Sequence, residues 1–265
     1  MRRTTTAGSG RRVAPPLMPG ARRLEQRIVI NSGMLPVLGI LVLGLHGVAA
    51  LAQAVPHVDH VILGIGRLDT GMKDFEQLTG VRPVYGGKHP TGTENALVSL
   101  GDGTYLEIIA PQAGVAADAG PELTGLLTLE TLTPVGWAVS SQNLTELRKQ
   151  LTNAAFPVSA PDDGSRVTPS SGTLRWQTFD LATSLEGAPF FIVWADRSAH
   201  PSSTSPSGCS LERLAVASPD GDALQRLGRA LDLAVEFGVA SKMRLSLTLS
   251  CSQGSVVFDS EASHL

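Results

Sequence analysis

Cysteine is scarce in this chain of 265 residues: Cys209 and Cys251 are the only two. So small a number excludes a disulfide-dense miniature scaffold and any multi-cysteine zinc or iron–sulfur framework. Aromatic residues are also few, at 5%, and after residue 52 none is interleaved with a basic run of the kind that binds nucleic acid. Charged residues make up 17% against 42% hydrophobic, a balance that fills a core and excludes wholesale disorder. A G-x-S-x-G elbow, a phosphate loop and a dinucleotide fingerprint are all missing. Gly64-Ile65-Gly66 follows a strand pattern, but no third glycine comes at the required offset. At roughly 100–200 residues per domain, the length fits one large or two small globular units.

The formal charge of −3 conceals an asymmetry. Seven arginines against Glu25 give residues 1–52 a charge of +6, while 14 basic and 23 acidic residues give the remainder −9. An acidic body repels phosphate, so nucleic acid is not the expected partner. Within the basic leader, Met34 to Ala52 reads MLPVLGILVLGLHGVAALA, free of Asp, Glu, Lys and Arg, and closes on Ala50-Leu51-Ala52. Basic segment, apolar run and small-x-small triplet are the parts of a secretory signal peptide. The run is also long enough to span a bilayer, so an anchor through residues 34–52 is the second reading. The expectation is a protein secreted or periplasmic after cleavage, or else membrane-anchored. Residues 1–52 take no part in the fold, and the mature body has no membrane contact of its own.

Beyond the leader a pattern recurs. In the first copy Val61, Leu63 and Ile65 alternate at strand period. A turn at Arg67-Leu68-Asp69 follows, then Met72, Phe75 and Leu78 at helical spacing before Gly80. The second copy runs Val135–Val139, Asn143 as N-cap, then Leu144, Leu147 and Leu151. The third runs from Leu211 to Val216, then Ser218-Pro219-Asp220, then Leu224, Leu227 and Leu231. Short strands follow each helix. In the first copy they lie around residues 82–85, 96–100 and 105–110, with a hairpin turn at Gly101-Asp102-Gly103. In the second they are expected at 157–159, 173–180 and 190–195, and in the third at 234–237, 244–250 and 255–258. The fold class is α+β. Tandem βαβββ modules over residues 56–198 form an open half-barrel sheet around a cleft. A linker at 199–208 leads to a third, appended β-α-β-β half-module at 209–260, covering one edge.

Several segments carry a resemblance. They are Asp59-His60-Val61-Ile62-Leu63, Gly86-Gly87-Lys88-His89-Pro90, Gly92-Thr93-Glu94-Asn95-Ala96-Leu97 and Tyr105-Leu106-Glu107-Ile108-Ile109-Ala110-Pro111. Leu174-Arg175-Trp176, Pro189-Phe190-Phe191-Ile192 and the stretch from His200-Pro201 to Gly208-Cys209 add to them. Together they resemble the glyoxalase-like domain of the vicinal oxygen chelate superfamily, over essentially all of residues 56–260. The resemblance implies a cleft for a small organic molecule. It also implies one divalent metal held by His, Glu or Gln side chains from the first and last strands of both modules. As an enzyme the protein would be a lyase, isomerase or dioxygenase acting on a small carbonyl or vicinal-oxygen compound. The antibiotic-resistance members imply the alternative, a non-catalytic protein that binds or sequesters a small molecule.

The resemblance places metal ligands, or catalytic acid and base, at His60 on the first strand and Glu107 on the last strand of module one. Glu107 stands among apolar residues, where an unpaired carboxylate is costly and needs a partner. Module two puts Gly136 or Trp137 at the second histidine position, and Ile192 and Val193 where a carboxylate would come. None of these side chains binds a cation. Substrate-binding candidates are His89 after the glycine pair, Asn95 in the following segment, and Arg175 beside Trp176. That Arg–Trp pair has the chemistry to clamp a carboxylate and pack an apolar ligand. Cys209 and Cys251 bracket the third module. In an exported body a disulfide between them and a pair of buried thiols are both open.

Overall fold

The computed structural model describes residues 55–115, 120–168, 172–195 and 200–260. The leader at 1–52 lies outside the described residues. Module one consists of β1 (His57–Gly64), α1 (Leu68–Thr79), β2 (Val84–Lys88), β3 (Thr93–Gly101) and β4 (Thr104–Pro111). Alternation drives it: Val61 and Leu63 of β1 and Leu106 and Ile108 of β4 are fully buried on one face, beside Phe75 of α1. Helix α1 ends where Gly80 adopts a left-handed backbone (φ 76°) and returns its N–H to Glu76 O. Phe75 is buried and Met72 packs partly against the core, but Leu78, expected inward, is half exposed. The β3–β4 hairpin turns through Asp102 and Gly103, both at positive φ, between the paired Gly101 and Thr104.

A connecting helix, α2 (Pro121–Leu127), leads to module two: β5 (Thr133–Ser140), α3 (Leu144–Asn153), β6 (Asp162–Val167), β7 (Thr173–Phe179) and β8 (Phe190–Trp194). Asn143 caps α3, its side chain accepting from Glu146 N at 3.1 Å. The strand expected at residues 157–159 is not one. Val158 makes only an isolated bridge to Leu181, and the strand lies at β6, where Asp162-Asp163-Gly164-Ser165-Arg166-Val167 shows no apolar alternation.

The two modules share one eight-stranded sheet of order β2-β3-β4-β1-β5-β8-β7-β6. Its halves repeat each other, with β1 parallel to β4, β5 parallel to β8, and β1 antiparallel to β5 at the centre. The sheet curls until its outer strands meet. Arg166 Nη1 of β6 donates to Gly86 O of β2, and a methyl added at Gly87 would sit 2.9 Å from Val167 O.

The third unit comprises β9 (Cys209–Ser218), α5 (Gly221–Leu231), β10 (Glu236–Val239), β11 (Arg244–Cys251) and β12 (Gly254–Asp259). It forms a sheet of its own, in the order β10-β9-β11-β12. All three strands expected after its helix are present, one more than the β-α-β-β label counts, and its first strand pairs parallel with the strand right after the helix rather than with the last. It also covers a face rather than an edge: Phe258 stacks on Phe75 at 6.0 Å, and Phe237 meets Trp137 at 6.1 Å. One continuous apolar core results. Cys209 and Cys251, opposite each other on β9 and β11, form a disulfide. The expected linker carries a short helix, α4 (Pro201–Thr204), held to β3 by Ser99 Oγ donating to Ser202 O at 2.5 Å and by Ser99 N donating to Pro206 O at 2.8 Å.

Candidate functional site

The site begins with an irregularity in β1. Val58 pairs with Val139 and His60 with Ala138, so Asp59 is an extra residue in the ladder. Val58 and Val61 both enter the core, which turns Asp59 and His60 together toward the concave face. Asp59 Oδ1 lies 2.7 Å from His60 Nδ1, and Asp59 Oδ2 accepts from Trp194 Nε1 at 3.0 Å. His200 Nε2 lies 3.2 Å from the same Oδ2. His200 Nδ1 accepts from Ser202 N at 3.2 Å, so Nε2 is the ring nitrogen left to donate to Asp59. Burial alone would raise the Asp59 carboxyl, but hydrogen bonds from His200 and His60 outweigh it and hold Asp59 well below the usual carboxylate range. The ionised Asp59 engages His60 through Nδ1, which leaves Nε2 as the ring nitrogen facing Glu107.

Facing it is Glu107. Its neighbours Leu106 and Ile108 point into the core, so strand alternation directs Glu107 to the concave side. Glu107 Oε2 lies 3.7 Å from His60 Nε2, and Oε1 accepts from Asn95 Nδ2 at 2.7 Å. His89 Nε2 approaches Oε1 at 3.9 Å, and its Nδ1 lies 2.8 Å from Thr93 Oγ1. The Tyr105 ring stacks on His60 at 4.5 Å, and Phe190 meets the imidazole edge at 5.4 Å. Burial raises the Tyr105 phenol well above its ordinary range, with Asp59 and Glu107 adding to the effect. Tyr105 is therefore a neutral O–H donor.

Of the residues singled out from sequence, His60, Glu107, His89 and Asn95 come together here. Trp176 shares the concave side, its ring 5.5 Å from Trp194. Arg175 does not join them. It is exposed, on the face of β7 that carries Phe179 into the outer core, because adjacent strand residues point to opposite faces. A different arginine takes the inner position: Arg166, 6% exposed. Sequence reasoning gave no site role to Arg166, Asp59, Trp194 and Tyr105, and read His200 as the start of the linker. For Asp59 the signal was its place beside His60, hidden by the assumption of strict alternation. For Arg166 it was a lone cation in a strand that composition disguises.

The divalent metal expected from the family resemblance can be tested against the donors. On the second-module side the inward residues are Gly136 and Ala138 of β5 and Phe190 and Ile192 of β8. None offers a donor atom. On the first-module side the Asn95 amide donates to Glu107 Oε1 and lies 3.4 Å from His89 Nε2, filling the space between those two groups with N–H. Among the described residues no group of three or more His, Cys, Asp or Glu is placed to hold a metal. The residues do not fit one.

No curated protein matches the chain by sequence. Among solved structures, a hypothetical protein from Staphylococcus aureus is similar at 17% identity and TM-score 0.53, over 77% of this chain and 85% of that one. A methylmalonyl-CoA epimerase from Mycobacterium tuberculosis matches at 14% identity and TM-score 0.38, over 52% of this chain and 85% of that chain. A variant of 4-hydroxymandelate synthase from Streptomyces coelicolor matches at 10% identity and TM-score 0.40, over 79% of this chain and 64% of that chain. The family model described as a glyoxalase-like domain matches residues 58–231. That match spans well over half of the chain and both βαβββ modules, so the chain belongs to the glyoxalase-like domain family.

Proposed function

We propose that the concave face is a metal-independent acid–base site acting on a small carbonyl or vicinal-oxygen compound, as an isomerase or lyase does. The carrying observation is the line Asp59–His60–Glu107. The carboxylate fixes the imidazole at Nδ1, and the free Nε2 faces a second carboxyl group 3.7 Å away without a hydrogen bond. An imidazole so held accepts a proton from a carbon next to a carbonyl, and a neighbouring carboxyl group returns one. Tyr105 supplies a neutral donor for the developing oxyanion. The test is solvent deuterium exchange, followed by NMR, over a panel of small 2-oxo acids and hydroxyketones. Exchange is expected with the wild type and is expected to survive dialysis against EDTA. His60→Gln and Glu107→Gln are each expected to lower it by about 100-fold or more. A wild type inert across the panel, or a His60→Gln variant as active as wild type, overturns the reading.

The burial of His60, 2% exposed, favours a second reading in which the cleft encloses a ligand without transforming it. Compounds that raise Tm but show no exchange support sequestration.

Export belongs to the same proposal. It is supported by the basic and apolar leader and by the Cys209–Cys251 bond, since disulfides persist in oxidising compartments. N-terminal sequencing of the protein expressed with its leader is expected to begin at Gln53. A chain retaining Met1 in the soluble cytoplasmic fraction refutes export, and retention in the membrane fraction supports the anchor.

A further inference from the structure

Where the curled sheet closes, β2 and β6 border an open recess of about 580 Å³ whose lining includes Lys88, His89, Gln112 and Arg166. Arg166 is the unusual member. It is 6% exposed, and its Nη1 donates to Gly86 O. Among the described residues it forms no ion pair with a carboxylate. A buried guanidinium is costly unless its charge is met and its donors are filled. One backbone carbonyl engages a single N–H of a fork of five, and the charge of Glu107 reaches the guanidinium without forming an ion pair. Across the same glycine the buried Asn95 Oδ1 has no donor, and a methyl at Gly86 would overlap it. One peptide unit therefore separates the guanidinium from the amide that holds Glu107.

We propose that Arg166 is an anion subsite at the β2–β6 seam and takes the carboxylate of a small organic acid, with Lys88 and His89 at its rim. The geometry suits carboxylate, which an arginine fork binds through two parallel N–H···O bonds. It suits a monoanion better than a dianionic phosphate, because the ionised Asp59 already places negative charge on the same concave face. His89 connects the two regions, lining the recess while its Nε2 stands 3.9 Å from Glu107. The inference rests on the reading of the cleft as a small-molecule site and names the class of molecule as organic acids.

The experiment is calorimetric titration of the intact protein with pyruvate, with hydroxyacetone as its uncharged counterpart and inorganic phosphate as the dianionic probe. Pyruvate is expected to bind, hydroxyacetone at least tenfold more weakly, and Arg166→Gln is expected to lose tenfold or more in pyruvate affinity. Arg166→Lys, which keeps charge without the fork, is expected to fall between. Should both variants fail to fold, amide shifts in the wild type decide: pyruvate is expected to move Gly86, Gly87 and Val167. Unchanged affinity in Arg166→Gln overturns the subsite, as do tighter binding of phosphate, no binding of pyruvate, or amide shifts confined to other surfaces. Binding with no exchange removes the catalytic reading and leaves the subsite standing, while exchange without dependence on Arg166 does the reverse.

Discussion

Asp59 is shared by three donors on three different segments: His60 of β1, Trp194 of β8 and His200 at the start of α4. Such a carboxylate stabilises the fold only while ionised. Its folded-state value is depressed below the unfolded one, so the contribution is complete above about pH 4 and is lost as pH falls through the folded-state value. Asp59→Asn is expected to lower stability by about 2–4 kcal/mol at pH 7, and the gap to wild type is expected to narrow steadily below pH 4. Urea denaturation at stepped pH reads this directly; a gap constant down to pH 3 would mean that the charge is immaterial. Gly86 makes a comparable demand through shape. A methyl there would overlap Asn95 Oδ1 and stand 2.9 Å from Leu97 Cδ1. Gly86→Ala is expected to cost about 1–3 kcal/mol in a denaturation curve, and displacing Asn95 would release Glu107 and reduce exchange activity with it.

The strands explain which parts of the site were legible in the sequence. In β1, β3 and β4 apolar residues alternate, and that pattern alone places Glu107, Asn95 and His60 on the face opposite the core. It fails at Asp59, because a single inserted residue lets two neighbours share a face and leaves no trace in composition. It fails again at β6, held in the sheet by its pairing with β7 and by Arg166 at the seam rather than by a run of its own apolar side chains. The pairing of β9 with β11 brings Cys209 and Cys251 together, and neither cysteine shows from sequence alone whether it is bonded. Their bond closes a separation of 42 residues, for which loop entropy assigns a contribution of about 3–4 kcal/mol. Replacing both by serine is expected to lower Tm by on the order of 10 °C, read by differential scanning calorimetry; an unchanged Tm would show that the β9–β11 ladder needs no clamp.

At the scale of the molecule, the third sheet acts as a cover for the convex side of the curled sheet. Phe258 on Phe75 and Phe237 against Trp137 make the two sheets one core. The site on the concave side is held by the opposite faces of the same strands: β1 carries Val61 outward and His60 inward, and β5 carries Trp137 outward and Gly136 inward. A loss of packing on the convex side must therefore reach the site through the central pair. The chain provides its own probe, since its three tryptophans, Trp137, Trp176 and Trp194, all lie in the eight-stranded sheet. Phe258→Ala removes a buried ring of β12 and is expected to cost about 3–5 kcal/mol. The tryptophan fluorescence transition in urea is expected to move by that full amount and to coincide with the transition seen by far-ultraviolet circular dichroism, as one cooperative unit requires. A fluorescence midpoint left in place, with the circular dichroism curve split in two, would instead make the cover a separate folding unit and free the site from its control.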